Sequence, residues 1–221
     1  MERAIFDWGF AVEILPALFD AFGVTLLATL SGMAIALPLG LVWTILRRSP
    51  SAVGRAAELW VDFVRSTPLL IQIYFAYYVL PGLGLALSPL ATGVLALGLH
   101  YSSYTSEVYR AGIDGVPRGQ WEAARVLRLS RWETWRRVVL PQAIPPIVPA
   151  LGNYLIAMFK DSPMLAAITV MELLQTAKVI GAERFRYLEP LTLVGLFFLA
   201  VSLVASRLVR FLEKRWVVRH A

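Results

Sequence analysis

Long apolar runs alternate with short clusters of charge along this chain, and the lengths of the runs set the first reading. Residues 22–46 form an apolar run without a charged residue that ends at Arg47 and Arg48. About 20 apolar residues cross a bilayer as a helix, so this run is long enough for a first span. Gly32 and Gly40 within it suit close helix packing. Ahead of it, residues 1–20 mix Glu2, Asp7, Glu13 and Asp20 with Phe6, Trp8, Phe10 and Phe19, as expected of a segment at a membrane surface. Those acids have the wrong sign for the basic start of a signal peptide. A second span is expected over residues 62–80, with Thr67 as its cap and Pro68 in its first turn.

The third span, residues 90–108, turns polar in its second half at His100, Ser102, Ser103, Thr105, Ser106 and Glu107. The fourth is expected to be broken, because Pro141, Pro145, Pro146 and Pro149 crowd its first turns. A regular helix is then expected only over residues 146–159, too short to cross alone, with apolar residues 164–174 as a re-entrant or second half-span. The last span covers residues 190–211 and closes at Lys214 and Arg215.

Between the third and fourth spans lies the most polar stretch, residues 114–141. Gly115 and Pro117 interrupt what precedes it, and a short helix is expected from Arg118 to Arg128. Ser130 and Glu133 form a capping box for a second helix, residues 131–140. That helix is expected to lie along the membrane surface, with Trp132 and Trp135 in the interface and Arg136 and Arg137 in the headgroups. In the first helix, Ala123 and Ala124 leave a flat face that another protein can approach, with Trp121 and Leu127 as anchors and Glu122 as an acid of the first turns. The pattern is that of a docking element.

With 221 residues, 58% of them apolar and 16% charged, the chain reads as one all-α membrane domain over residues 1–221. It has no cysteine, which excludes disulfides and thiolate chemistry. The net charge of +6 sits at the ends of the apolar runs, so it points to the bilayer rather than to nucleic acid. Arg47, Arg48 and Arg55, the arginines of the docking stretch, and Arg207, Arg210, Lys214, Arg215 and Arg219 near the end all fall on one side if there are five transmembrane helices. The N-terminus is then outside and the C-terminus cytoplasmic. The glycines of residues 81–89 lack the lysine and hydroxyl of a phosphate-binding loop, so no nucleotide site is expected in this chain.

Several short motifs carry a family resemblance. Glu122-Ala123-Ala124 followed by Val139-Leu140-Pro141 resembles the EAA loop of bacterial ABC importer permeases, with Arg128 where the family pattern has glycine. Tyr109-Arg110-Ala111-Gly112-Ile113, Arg118-Gly119-Gln120, Arg65-Ser66-Thr67-Pro68-Leu69-Leu70 and Lys160-Asp161-Ser162 resemble further segments of the family, in its order. The match is to the polar amino acid subfamily, which includes ectoine-type permeases. The resemblance implies the type I importer permease fold and a cytoplasmic coupling helix, with Trp121, Glu122, Ala123, Ala124, Leu127 and Arg128 at the ATPase. It also implies two ABC ATPase subunits, a second permease (the same or related), an extracytoplasmic solute-binding protein and the bacterial cytoplasmic membrane as location. The chain itself would be non-catalytic and need no cofactor.

Lys160 and Asp161 fall where a broken span reaches into the bilayer, and charges there are costly unless paired or hydrated. Asp161 and Ser162 therefore read as part of a translocation pathway, or else as a helix end where Lys160 and Asp161 pair with each other. Glu107 and Arg110 are one helical step apart and read as an ion pair or a gate. Gln72 stands with Tyr74, Tyr77 and Tyr78 on a polar-aromatic face that lines a pathway or packs between helices. Arg65 reads as snorkelling to the headgroups, and His100, alone, as a packing histidine rather than a metal ligand. Two other classes are weighed: an ion-coupled secondary carrier, which would want an internal repeat and several intramembrane acids, and an intramembrane enzyme, which would want a nucleophile and base within the spans.

Overall fold

The structure, a computed structural model, describes the backbone of residues 5–217 and side chains through residue 214. Glu2 and Arg219, and the side chain of Arg215, lie outside the described residues. Among the described residues the chain forms α1 (Trp8–Arg47), α2 (Ala52–Ser66), α3 (Leu69–Tyr74), α4 (Pro89–Asp114), α5 (Arg118–Val126), α6 (Arg131–Glu133), α7 (Leu140–Asp161), α8 (Leu173–Arg184) and α9 (Leu188–Val217), with no strand.

α1 is a single helix of 40 residues, so the expected division between a surface segment and a span is absent. Asp7 caps it, accepting from the Phe10 amide at 3.1 Å. The acids that suggested a surface are matched locally: Arg184 donates to Glu13 at 3.0 Å and Arg186 lies 3.4 Å from Asp7. Phe10, Ile14 and Leu18 pack on Leu173 and Ala177 of α8 and Val194 of α9. At about 1.5 Å per residue such a helix is roughly 60 Å long, about twice the hydrocarbon thickness of a bilayer.

α1 and α4 share the longest contact in the bundle, and small residues make it possible. A Cβ on Gly40 would lie 2.0 Å from Thr105 Oγ1 and 2.9 Å from the Ser102 carbonyl, and one on Gly98 would lie 2.8 Å from Ile35 Cβ. The expected packing role of Gly32 and Gly40 therefore holds. The polar half of α4 is spent on the same seam. Thr105 donates to the Ala36 carbonyl at 2.9 Å, Thr44 to the Ser106 carbonyl at 3.0 Å and the Trp43 indole to Ser102 at 3.1 Å. Ser102, Ser103, Thr105 and Ser106 are fully buried.

The second apolar run does not begin at residue 62. α2 carries the chain to Ser66 with Val61 and Val64 buried, and the chain then breaks at Thr67 and Pro68, both extended. Proline disfavours helix in the residue before it, which ends α2 there. Thr67 does not cap α3; its hydroxyl donates back to the Phe63 and Val64 carbonyls of α2. α3 continues through a π turn, Phe75–Val79, and a 3-10 turn, Leu80–Leu83.

The prolines do not break the fourth run. From Arg131 the chain is helical through α6, a π turn at Thr134–Val139 and α7, with Pro145, Pro146 and Pro149 inside the helix. Two features accommodate Pro141 at its start. The π turn shifts the bonding register just before Pro141, with the Leu140 amide donating to the Trp135 carbonyl. Gln142 then donates its side-chain amide to the Val138 carbonyl at 2.7 Å. A 3-10 turn, Ser162–Ile168, follows α7 directly, so residues 164–174 are no separate half-span. Trp8–Arg47, Arg131–Ile168 and Leu188–Lys214 are long and apolar enough to cross a membrane; Leu69–Leu83 is shorter.

Candidate functional site

The polar stretch of the sequence folds as expected at its joint. Ser130 Oγ accepts from the Glu133 amide at 3.2 Å and Glu133 accepts from the Ser130 amide at 3.1 Å, the reciprocal capping box. Arg128, standing where the family pattern has glycine, adopts φ 53°, the left-handed conformation that costs a non-glycine residue about 1 kcal/mol. Around it the Leu129 amide reaches the Ala124 carbonyl at 3.0 Å and the Leu127 amide the Ala123 carbonyl at 2.9 Å. The sharp turn is kept without glycine.

α5 sits on the bundle through one face. Ala124 is 2% exposed, and Trp121 meets Trp135 edge-on at 5.7 Å over Ile113, Val116, Val139 and Ala143. Ala123 and Ala124 therefore do not form one flat outward face, because adjacent helix positions point about 100° apart. Trp121 is an inward anchor to its own bundle. The outward side carries Glu122, Ala123, Val126 and Leu127, the last two 82% and 71% exposed.

A second constellation lies between α4 and α7. Tyr101, Tyr104 and Glu107 follow one another at steps of three along α4, and Tyr154 and Asp161 stand two turns apart on α7. Tyr101 donates its hydroxyl to Asp161 Oδ2 at 2.7 Å. Its ring lies 6.0 Å from that of Tyr104, which lies 5.5 Å from that of Tyr154 and 5.2 Å from the His100 imidazole. A cavity of about 540 Å³ opens beside this wall, lined by Glu107, Gly112, Gln142, Pro146, Ile147 and Tyr154. Asp161 is thus tied to Tyr101 and not to Lys160, whose side chain is exposed. Ser162 is fully buried and donates to the Phe159 carbonyl at 2.7 Å, which makes it part of the helix end.

Gln72 is in a different place. Its amide nitrogen donates to the Val64 carbonyl at 2.8 Å and to Thr67 Oγ1 at 2.7 Å, stitching α3 across the break to α2. Its oxygen faces His100 Nδ1 at 3.1 Å. With the amide nitrogen committed as donor, the oxygen accepts and Nδ1 carries the proton. His100 is accordingly the packing histidine expected.

Glu107 collects three guanidiniums. Arg110 lies 2.5 Å away one turn on, as expected; Arg47 of α1 lies 2.6 Å away and Arg65 of α2 3.4 Å away. Arg65 does not snorkel outward: its Cζ stands 5.5 Å over the Tyr104 ring. Arg48 pairs with Asp114 beside this cluster, so the ends of α1 and α4 meet with their charges matched. Sequence reasoning missed Tyr101, Tyr104, Tyr154 and Arg47. The steps of three from Tyr101 to Glu107 were the available signal; the partnership with α7, sixty residues away, left none.

These features meet in one known family. Residues 36–218 match the model of the binding-protein-dependent transport system inner membrane component, and the chain belongs to that family as a permease subunit of an ABC importer. It is 46% identical over 208 residues to a probable amino-acid ABC transporter permease, y4tG of Sinorhizobium fredii, covering 94% of this chain and 90% of that one. It is 33% identical over 213 residues to the glutamine transport system permease GlnP of Escherichia coli K12, covering 95% and 97%. Among solved structures, one described as an amino acid ABC transporter with histidines superposes with a TM-score of 0.91 at 32% identity, covering 95% of this chain and 99% of that one. The inward-facing MetNI methionine ABC transporter shares the fold, with a TM-score of 0.64 at 20% identity. The secondary carrier and the intramembrane enzyme give way to this family.

Proposed function

We propose that this permease carries a polar amino acid, or a solute resembling one, across the bacterial cytoplasmic membrane. The observation that carries the reading is Asp161. It is a half-buried carboxylate held by the Tyr101 hydroxyl, with Tyr104 and Tyr154 along the same α4–α7 seam, whose Tyr154 and Glu107 line a cavity of about 540 Å³ two turns of α7 away. A fixed carboxylate with aromatic faces around it suits an ammonium or another cationic group. The amino acid substrates named for the relatives point the same way. Lys160, Ser162, Gln72 and Glu107 then act around the pathway rather than on the solute, as supports and closure.

Membership of the family supports the rest of the reading. The whole chain acts as one transmembrane domain of five spans, with the N-terminus outside and the C-terminus cytoplasmic, which places the arginines that gather where α1 and α4 end on the cytoplasmic side. α5 is the coupling helix, and Glu122, Ala123, Leu127 and Arg128 meet an ABC ATPase, while Trp121 and Ala124 seat the helix on its own bundle. Two such ATPases, a second permease and an extracytoplasmic binding protein complete the transporter. ATP-driven closure of the ATPases moves α5 and switches access to Asp161 between the two sides.

The test is solute-stimulated ATP hydrolysis by the complex in lipid, with its binding protein, across a panel of amino acids and compatible solutes. Stimulation by one amino acid is the expected result. Stimulation only by a solute without an amino or other cationic group would overturn the assignment of Asp161.

A further inference from the structure

Where α1 and α4 end, a second cavity of about 340 Å³ opens against α2, lined by Thr44, Arg47, Arg48, Glu58, Arg110 and Asp114. It takes no residue from α7, so it stands apart from the tyrosine seam. Its arginines are only partly spent on the protein. Arg48 gives Nη2 to Asp114, and Arg110 gives Nε and Nη2 to Glu107. Nη1 of each makes no hydrogen bond among the described residues, that of Arg110 standing 3.9 Å from Asp114. Glu58 is the complement: an exposed carboxylate with neither ion pair nor hydrogen bond among the described residues. The cavity therefore holds unspent donors of positive charge and an unspent acceptor of negative charge.

α2 bounds this cavity and has three faces. Gly54, Ala57, Val61 and Val64 are buried against the bundle. Arg55, Glu58, Asp62 and Arg65 recur at steps of three and four and form a charged stripe. Val53, Leu59, Trp60 and Phe63 form an apolar stripe left exposed, Leu59 and Phe63 by 70% and 59%. The Trp60 ring stands between those of Trp43 on α1 and Phe63, at 6.3 and 6.1 Å. A helix with one apolar and one charged stripe outside its bundle contact lies at the edge of the hydrocarbon, and tryptophan favours that depth. The cavity is thus at the level of the phospholipid headgroups, with Leu59 and Phe63 facing the acyl chains.

We propose that this cavity binds the headgroup of a cytoplasmic-leaflet phospholipid that carries a primary ammonium, of the phosphatidylethanolamine kind; the choice of leaflet rests on the cytoplasmic placement of these helix ends. The free Nη1 groups of Arg48 and Arg110 donate to the phosphate, and Glu58 accepts from the ammonium. Both contacts are charge-assisted. The carboxylates decide among headgroups. Glu58 and Asp114 repel one of net negative charge, and a quaternary choline nitrogen has no N–H to give Glu58. The bound lipid ties α2 to the ends of α1 and α4.

The experiment is lipid titration of the delipidated permease–ATPase complex, read by native mass spectrometry. The probes are dioleoyl phosphatidylethanolamine, phosphatidylcholine and phosphatidylglycerol. Phosphatidylethanolamine is expected to bind about tenfold more tightly than the other two. Glu58→Gln, at an exposed residue without partners, is expected to erase that preference by weakening phosphatidylethanolamine alone. Arg48→Lys, which keeps a charge beside Asp114, is expected to weaken all three. Equal binding of the three by the wild type, or a preference that survives Glu58→Gln, overturns the proposal. So does displacement of the lipid by inorganic phosphate, or tighter binding of phosphatidylglycerol, either of which makes the cavity a plain anion site. The chain has no cysteine, so Ser49→Cys reports sidedness separately. Labelling of that cysteine by a membrane-impermeant maleimide in spheroplasts overturns the cytoplasmic placement and the leaflet with it, whereas the headgroup preference is read in the purified complex.

Discussion

Tyr101 and Asp161, sixty residues apart, are joined by a hydroxyl–carboxylate hydrogen bond of 2.7 Å, and that bond fixes an acid on the α4-facing side of α7. Asp161→Ala removes the charge and leaves the helix end, whose Ser162–Phe159 bond is independent of it. Uptake is expected to fall by roughly tenfold to a hundredfold or more while the complex still assembles. Tyr101→Phe keeps the acid and loses only its orienting donor, so its loss of uptake is expected to be smaller. Equal uptake by Asp161→Ala and wild type would return Asp161 to a purely structural role.

The coupling surface is tested by charge reversal. Glu122→Arg changes an exposed side chain on α5 that has no ion-pair partner among the described residues, so insertion and folding are expected to be unaffected. Loss of ATPase on co-purification is the expected outcome. Normal recovery of the ATPase with the mutant permease would place the contact elsewhere.

Arg128→Gly relieves the one left-handed residue of the α5–α6 turn. Glycine adopts that conformation freely, so the substitution is expected to stabilise the turn by about 1 kcal/mol, read as slower proteolysis or hydrogen exchange at residues 124–130. Faster exchange would mean that the Arg128 side chain contributes more than its backbone costs.

Gly40→Ala probes the α1–α4 seam. The new methyl would meet Thr105 Oγ1 and backbone atoms of Ser102 and Ser106, so the two helices must separate, at a cost of about 1–3 kcal/mol. Gly23→Ala, where nothing lies within 4 Å of the added carbon, serves as the control. A large drop in melting temperature for Gly40→Ala and little change for Gly23→Ala is expected; equal melting of the two would show that the seam has room.

Local chemistry was legible in the sequence, and longer-range geometry was not. The Ser130–Glu133 capping box, the Glu107–Arg110 pair and the small-residue packing of Gly32 and Gly40 were readable because each is set by neighbours within a turn or by side-chain size. The start of α1 gave no sign that it continues the first span as one helix, because the partners of Asp7, Glu13 and Phe10, namely Arg184, Arg186, Leu173 and Val194, all lie near the far end of the chain. Pro145, Pro146 and Pro149 were read as a break on local propensity, which tertiary packing overrode. Ala124 went to the wrong face because it is buried where α5 packs on the Thr134–Val139 turn, an element beyond the α5–α6 turn. Arg65 looked like a headgroup residue until Tyr104 was seen beneath it.

The prolines of α7 have a mechanical consequence. Pro145, Pro146 and Pro149 withdraw three amide donors from little more than one turn, and each missing rung lowers the resistance of a helix to bending. Asp161 lies beyond them at one end of the run, and the α5–α6 turn lies before them at the other. The most compliant part of α7 is therefore set between the two, and flexure there tilts the far half of the helix as a lever, without unwinding the half that carries the carboxylate.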